Sequence, residues 1–207
     1  MIRRAIDIFG SLAALGLVGP LMVALAVWLR LDSPGPAVFR QRRAGWHGRP
    51  FTLLKFRTMC VDTDPYGISP HGGEDPRLTT AGRWLRERSL DELPQLINVL
   101  RGEMTLVGPR PLYERQAALW NDRQRRRLEV KPGLTGYAQI CGRGRLTHED
   151  KIELDVQYVE RRSPWLDVRI LARTLTATLQ RGDDVYEQQY SHERLYETDT
   201  SEAGDAR

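Results

Sequence analysis

The sequence predicts an α/β protein that is mostly helical and is attached to a membrane by its N-terminus. Three observations support this: one long apolar segment, two adjacent short strands, and several stretches with apolar residues at helical spacing. Residues 8–29 carry no charge, and this run is long enough to cross a bilayer. The rest of the 207-residue chain is much more polar. This length fits one compact domain with an appendage.

The apolar segment is predicted to bend near its middle, at Gly19 and Pro20. Proline removes a backbone donor and clashes with the preceding turn, and glycine eases the bend. Arginines flank both ends of the segment, and cationic flanks prefer the cytoplasmic side. A helix-break-helix hairpin keeps both flanks on that side, so we favour a re-entrant hairpin over a kinked spanning helix. Asp7 is expected to pair with Arg3 or Arg4 at the entry.

The remaining chain is predicted to form a small β-hairpin followed by helices. Residues 36–43 and 50–59 are predicted strands joined by a turn at 45–48, and residues 62–77 form a loop rich in turn formers. Helices are predicted from apolar spacing over four ranges: 80–88, 91–101, 112–130 and 164–179. The last two carry apolar stripes among arginines. Such helices either face the core or lie as amphipathic helices in the lipid headgroup layer.

Composition excludes several classes of protein. The two cysteines, Cys60 and Cys141, form neither a disulfide framework nor a Cys-x-x-Cys pair, and the four histidines are scattered. Zinc-hydrolase and serine-hydrolase motifs do not occur in the sequence. Nucleic acid is not an expected partner, because the many arginines are not interleaved with stacking aromatic residues. Arginine does suit phosphate, since its planar fork matches phosphate oxygens in pairs.

The most informative segment is Ser89-Leu-Asp-Glu-Leu-Pro94. Pro94 cannot lie deep in a helix, so the sequence predicts a helix that begins close to Asp91. Two adjacent carboxylates would then lie at a helix N-terminus, which also attracts phosphate. The alternative is a structural cap, in which Asp91 or Ser89 caps the helix and Glu92 completes a capping box with Ser89.

Basic residues cluster on both sides of this carboxylate pair, in segments rich in glycine and proline. Glycine permits close approach of the backbone, and arginine side chains can clamp phosphate oxygens. These residues, with one further acidic residue, are the candidate site: Lys55, Arg57, Arg86, Arg110, Arg143 and Asp155.

Eight ordered motifs make the sequence recognisable from about residue 1 to 181. They are Arg40-Gln-x-Arg43, Lys55-Phe-Arg-Thr-Met59, Ser89-Leu-Asp-Glu-Leu-Pro-Gln-Leu96, Asn98-Val-Leu-x-Gly-x-Met104, Val107-Gly-Pro-Arg-Pro-Leu112, Lys131-Pro-Gly-Leu-Thr-Gly136, Ala138-Gln-x-x-Gly-Arg143 and Glu153-Leu-Asp-x-x-Tyr158. The set resembles the bacterial sugar transferase family, the monotopic phosphoglycosyl transferases, in its small form. One departure is Gly19-Pro20, where some members have Ser-Pro.

The resemblance implies an Asp-Glu dyad, Mg²⁺ and a nucleotide diphosphosugar donor, usually a UDP-sugar. Asp91 matches the residue that forms a covalent phosphosugar intermediate, and Glu92 matches the second dyad member, which serves in metal binding and positioning. The six candidate residues above fall on polar family positions around the site. The acceptor implied is polyprenyl phosphate in the membrane lipid, and the products are polyprenyl diphosphosugar and UMP.

The expected domain organisation follows from the residue patterns and from the family resemblance together. Residues 1–31 form the re-entrant anchor, 32–181 the catalytic domain, and 182–207 a polar, partly disordered tail. The expected location is the bacterial inner membrane with the site facing the cytoplasm, and the expected reaction is the first membrane step of glycoconjugate or exopolysaccharide synthesis. Two alternatives stay open: a membrane-tethered nucleotide-sugar pyrophosphatase, and a membrane scaffold without enzymatic activity.

Overall fold

The computed structural model describes residues 2–64, 66, 67, 69–179 and 186, without the side chains of residues 143 and 177–179. This part of the chain is mostly helical, as predicted. Its α-helices are α1 Ile2–Asp32, α2 Thr80–Glu87, α3 Gln95–Arg101, α4 Glu114–Ala118, α5 Asp122–Arg125, α6 Tyr137–Cys141, α7 His148–Arg161 and α8 Pro164–Leu179. Its strands are β1 Val38–Ala44, β2 Pro50–Phe56, β3 Thr105–Val107 and β4 Gly133–Thr135. Apart from Tyr186, the predicted disordered tail lies outside the described residues.

Helix α1 is the long apolar helix that the sequence predicts. Within the described chain it is long and apolar enough to cross a membrane, and its most apolar stretch is largely unburied. The helix continues through Gly19 and Pro20, and no break divides it there. The re-entrant arrangement therefore stays a prediction.

Both ends of α1 pack on the rest of the molecule. Near its start, Asp7 is buried and accepts hydrogen bonds from the Thr105 hydroxyl at 2.8 Å and the Leu106 amide at 2.9 Å. The predicted pairing of Asp7 with Arg3 or Arg4 is wrong, because Asp7 instead satisfies donors at the start of β3. Near the other end, buried Leu25 and Leu29 join a core cluster with Ala37, Phe56, Ala81 and Leu85.

The predicted β-hairpin is confirmed. Strands β1 and β2 pair antiparallel, with Phe39 opposite Lys55. Their connection is a short 3-10 turn, Trp46–Gly48, in which His47 and Gly48 both have positive φ. Strands β3 and β4, which the sequence did not suggest, form a separate parallel pair. A side chain on Gly133 would lie 2.1 Å from the Gly108 amide nitrogen, so this contact requires glycine.

Two predicted helices differ from the observed ones. The helix predicted from Asp91 begins at Gln95 instead, directly after Pro94, and ends as predicted at Gly102, whose φ is +81°. The predicted stretch 112–130 is broken into α4, α5 and a 3-10 turn, Arg126–Glu129. The break occurs because the Asn121 side chain accepts from the Gln124 amide and starts a new helix.

Helix α8 has two apolar faces. Ile170 on the inner face is fully buried in a cluster with Val107, Val130 and Tyr158. On the outer face, large apolar side chains are exposed: Trp165 at 78%, Val168 at 56% and Leu175 at 70%. The inner face is core-facing, as one of the two expectations has it, and the headgroup-layer location expected as the alternative stays a prediction for the outer face.

Candidate active site

Asp91 and Glu92 lie on a short 3-10 turn, Leu90–Glu92, between α2 and α3. Ser89, directly before the turn, has φ +55° and adopts the left-handed conformation, which is strained for a residue other than glycine. Leu90 packs against the core cluster that holds the end of α1. Asp91 is buried, with 7% of its surface exposed. The turn that carries both carboxylates therefore packs, through Leu90, on the core cluster that holds the end of α1.

The structural cap considered from the sequence is not formed. The Ser89 side chain makes no capping hydrogen bond to the turn. The Glu92 carboxylate, which would close a capping box, instead binds two cationic side chains. Capping therefore does not explain why two acidic residues occupy this turn.

Two basic residues from distant parts of the chain meet the carboxylate pair. Lys55 on β2 lies with its nitrogen 3.2 Å from Glu92 Oε1 and 3.9 Å from Asp91 Oδ2. Arg110, on the turn after β3, donates from Nη2 to the same Glu92 oxygen at 2.7 Å. The pair is thus asymmetric: Glu92 is hydrogen-bonded to both cations, whereas the Lys55 nitrogen lies beyond hydrogen-bond distance of Asp91.

The pKa values of the two carboxyl groups are shifted in opposite directions. Burial raises the pKa of Asp91, and the opposing effect of Lys55 is smaller. Glu92 is partly buried, but Arg110 and Lys55 together outweigh the effect of burial and hold its pKa well below the usual range. Burial lowers the pKa of Lys55, against the pull of Glu92. Neighbouring carboxyl groups with divergent pKa values suit different tasks, with Asp91 the more basic and more nucleophilic of the two.

Of the other predicted site residues, Arg86 also acts on the pair. Arg86, on α2, contributes positive charge that lowers the pKa of Asp91, although burial of Asp91 prevails. Its guanidinium also lies 5.8 Å from the centre of the Tyr186 ring. Arg143 begins a 3-10 turn after α6, and its side chain is outside the described part of the structure.

Arg57 and Asp155, also predicted to contact the substrate, are buried and have partners within the protein, and their contact with substrate stays a prediction. Arg57 is 5% exposed and donates to three backbone carbonyls that end α1, those of Leu29, Ser33 and Pro34. It satisfies carbonyls that lack partners at a helix C-terminus. Asp155 is 1% exposed and forms an ion pair with Arg127.

Sequence reasoning missed Arg127. Its guanidinium is buried between Asp155 and the Trp120 ring and donates to the Arg110 carbonyl at 2.6 Å. In the sequence it is one of four arginines between residues 123 and 127, and nothing in that run marks which one faces inward. The available signal was its position between two apolar residues that are themselves buried, Trp120 and Val130.

The carboxylate pair is a candidate site for Mg²⁺. Within the described residues, no group of three or more His, Cys, Asp and Glu side chains is placed to hold a metal ion. Mg²⁺ does not require such a group, because it usually keeps several waters and binds one or two carboxylates together with substrate phosphates. Asp91 and Glu92 fit that kind of site, which a bound diphosphate would complete.

Comparison with known proteins identifies the family. A sequence model described as bacterial sugar transferase matches residues 1–181, which include α1, the carboxylate pair and α8. The chain belongs to the bacterial sugar transferase family. This confirms the resemblance drawn from the eight motifs, and it makes the protein an enzyme of the transferase class.

Individual relatives agree with this assignment. The uncharacterized sugar transferase EpsL of Bacillus subtilis is 44% identical, over 86% of this chain and 88% of EpsL. A Caulobacter vibrioides protein is 41% identical, over 86% of this chain and 69% of its own length. An Escherichia coli protein is 40% identical, over 84% of this chain but only 39% of its own length. The latter two are named UDP-glucose:undecaprenyl-phosphate glucose-1-phosphate transferases.

Proposed function

We propose that this sugar transferase moves a phosphosugar from a UDP-sugar to polyprenyl phosphate and releases UMP. One observation carries the proposal: the buried Asp91 carboxylate, whose pKa is raised, lies beside the cation-bound Glu92 carboxylate, on a turn that packs through Leu90 on the cluster that holds the end of α1. The names of the Caulobacter and Escherichia relatives describe this class of reaction. The product, polyprenyl diphosphosugar, begins the membrane-bound stage of glycoconjugate or exopolysaccharide synthesis.

Asp91 is the proposed nucleophile. Its carboxylate attacks the sugar-bearing phosphorus of the donor, the bond to the UMP oxygen breaks, and a phosphosugar remains on Asp91. The phosphate of the lipid acceptor then attacks the same phosphorus, forms the new diphosphate and regenerates the carboxylate. UMP leaves as a weakly basic phosphate, so the first step needs no strong general acid. Two steps let a soluble donor and a lipid acceptor use one site in turn.

The basic residues counter the repulsion between an anionic nucleophile and an anionic donor. Lys55 and Arg110 lie at the pair, and Arg86 adds positive charge near Asp91. Asp91 and Glu92 would also hold Mg²⁺, which would supply further positive charge to the diphosphate. Glu92 keeps Lys55 and Arg110 in place, since both contact its Oε1.

We further propose that α1 enters the cytoplasmic face of the bacterial inner membrane and returns to the same face. Both ends of α1 pack on the same body, whereas none of residues 12–24 is buried. A side chain on Gly16 or Gly19 would have no atom within 4 Å, so tight packing does not explain either glycine. A bend next to Pro20 would explain both glycines, because glycine eases the bending of a helix.

The outer face of α8 is a second surface that we propose contacts the membrane. Its exposed Trp165, Val168 and Leu175 form one stripe, accompanied by Arg169 and Arg173. Arg3, at the start of α1, lies 3.3 Å from Asp167 of α8, and this ion pair links α8 to α1. Residues 1–31 would then anchor the chain and 32–181 form the catalytic domain.

Intact mass spectrometry tests the proposed reaction. The purified protein would be incubated with a panel of UDP-sugars and Mg²⁺, without lipid acceptor. We expect the wild-type mass to rise by one phosphosugar with the correct donor. Asp91→Asn should show no rise, although it stays folded and melts no lower than the wild type. Release of free sugar phosphate without an adduct would favour a pyrophosphatase. Absence of both products for every sugar would favour the scaffold.

Cysteine labelling tests the re-entrant topology. After Cys60→Ser and Cys141→Ser, single cysteines would replace Ile6 or Leu31, which are exposed near opposite ends of α1. An impermeant maleimide should label both in inverted membrane vesicles and neither in right-side-out vesicles. A cysteine at Leu17, in the middle of α1, serves as the lipid-buried control. Labelling of the two ends from opposite sides would overturn the hairpin.

A further inference from the structure

Arg110 reaches the carboxylate pair from a tightly held turn. It lies between two prolines, whose rings fix their own φ angles. Three hydrogen bonds hold the backbone of this turn: Gly133 N–H to the Pro109 carbonyl at 2.9 Å, Arg127 Nη2 to the Arg110 carbonyl at 2.6 Å, and Ala44 N–H to the Leu112 carbonyl at 2.9 Å. The middle bond differs from the others because a charged side chain donates it.

That side chain belongs to a fully buried ion pair. The Arg127 and Asp155 side chains are each 2% exposed, and the Arg127 guanidinium lies 4.8 Å from the centre of the Trp120 ring. Burial raises the pKa of Asp155 despite Arg127, which shows that desolvation opposes the ionised pair. Apolar residues of similar volume often replace such pairs without loss of stability. Stability alone is therefore a weak explanation for this one.

We propose that Arg127 and Asp155 are positioning residues for Arg110. Asp155 fixes the Arg127 guanidinium, Arg127 fixes the Arg110 carbonyl, and the Arg110 side chain reaches Glu92 Oε1 at 2.7 Å. The inference rests on the proposed function, because it concerns the geometry of that same site. It gives Asp155 a role through Arg127 and Arg110, in place of direct contact with the substrate.

An apolar replacement of the pair separates positioning from stability. The double variant Arg127→Met with Asp155→Leu removes both charges and keeps most of the buried volume. We expect its melting temperature to stay near that of the wild type. At saturating donor its rate of adduct formation should fall by about 100-fold, as for a small misplacement of a catalytic group. Arg127→Lys, which keeps a donor for the Arg110 carbonyl, should recover part of this loss.

A matched control uses another arginine that joins the same region to α7. Arg123 on α5 donates to Glu153 of α7 at 2.6 Å, but both side chains are largely exposed. Arg123→Met should leave the adduct rate unchanged.

Combination with Arg110→Ala gives the decisive measurement. If Arg127 acts through Arg110, adding Arg127→Met to Arg110→Ala should lower the rate by less than about 2-fold, since coupled residues are not additive. Independent effects would multiply, and that result would overturn the proposal, as would an unchanged rate in the folded apolar double variant. Wild-type adduct in the same assay shows that the proposed function holds whichever way the variants behave.

A readout without catalysis covers the case in which the wild type forms no adduct. In protein labelled with ¹⁵N-arginine, the side-chain signal of Arg110 is identified by its loss in Arg110→Ala. Arg127→Met should shift or broaden that signal, whereas Arg123→Met should not. An unmoved Arg110 signal in folded Arg127→Met would contradict the positioning role independently of the reaction.

Discussion

Lys55 on β2 and Arg57, directly after its end, lie two positions apart, yet their partners differ completely. Lys55 contacts the carboxylate pair, and Arg57 binds the carbonyls at the end of α1. Both belong to the same motif, and both were predicted to bind substrate. The sequence could predict their shared neighbourhood but not this division of roles, because the docking of α1 against Arg57 depends on contacts distant in sequence.

Substitution of these two residues by methionine should give opposite results. Lys55→Met should abolish adduct formation with little effect on melting temperature, because it removes charge from the active site. Arg57→Met should lower the free energy of unfolding by about 1–3 kcal/mol, because buried carbonyls lose their donor. Thermal unfolding in detergent and the adduct assay, measured on both variants, check this. A stable Arg57→Met protein without activity would show that Arg57 acts in catalysis.

The opposite pKa shifts of the pair predict opposite effects on stability. Burial raises the pKa of Asp91, so its ionised form costs stability at pH 7. Without Mg²⁺, Asp91→Asn should therefore melt at a higher temperature than the wild type. This difference in melting temperature should disappear as the pH falls towards about 4, where Asp91 is increasingly protonated in both folded and unfolded chains.

Glu92→Gln is the matched control for this pH experiment. Arg110 and Lys55 lower the pKa of Glu92 despite burial, so its charge stabilises the fold at pH 7. The glutamine variant should melt below the wild type at pH 7, and the deficit should shrink as the pH falls and Glu92 becomes protonated in the folded state. A lower melting temperature of Asp91→Asn at pH 7 would contradict the assigned cost of the Asp91 charge.

At the scale of elements, the active-site turn departs most from its prediction. The apolar spacing correctly predicts that α3 stops at Gly102. The helix starts at Gln95, however, four residues later than the predicted start at Asp91. Ser89 in the left-handed conformation explains the difference, because it turns the chain between α2 and the carboxylate pair. Serine has no marked preference for that conformation, so the sequence held no signal for it.

Substitutions at Ser89 should reveal the strain in this turn. Ser89→Gly should raise the free energy of unfolding by up to about 1 kcal/mol, because glycine adopts positive φ without steric cost. Ser89→Val should lower it by about 1–2 kcal/mol and slow adduct formation, because a β-branched residue resists the left-handed conformation. Chemical denaturation of both variants provides the measurement. Equal stability of the two would argue against strain at this position.

At the scale of the whole molecule, α1 is an integral part of the catalytic body. Arg4 donates to the Val99 and Leu100 carbonyls at the end of α3, and Asp7 accepts from β3. The sequence predicted the membrane segment and its charged flanks from local composition. It could not predict these contacts, which join residues more than 90 positions apart.

Hydrogen exchange should detect the docking of α1. The Leu106 amide donates to the Asp7 carboxylate, so Asp7→Ala should accelerate exchange of that amide. The Gly108 amide, which donates to the Thr135 carbonyl at 2.8 Å, should exchange at its wild-type rate as an internal control. Unchanged protection of Leu106 in the variant would mean that the first turns of α1 do not rest on β3.

The spacing of Lys55 and Arg57 has a consequence for the lipid substrate. Two residues along an extended chain span about 7 Å, so covalent geometry limits how far the Lys55 backbone can lie from the end of α1. With α1 in the membrane as proposed, the polyprenyl chain of the proposed acceptor can remain dissolved in hydrocarbon while an oxygen of its terminal phosphate attacks the phosphosugar on Asp91. Extraction would cost about 0.8 kcal/mol for every methylene exposed to water. An enzyme of this design should thus turn over long and short isoprenoids at comparable rates.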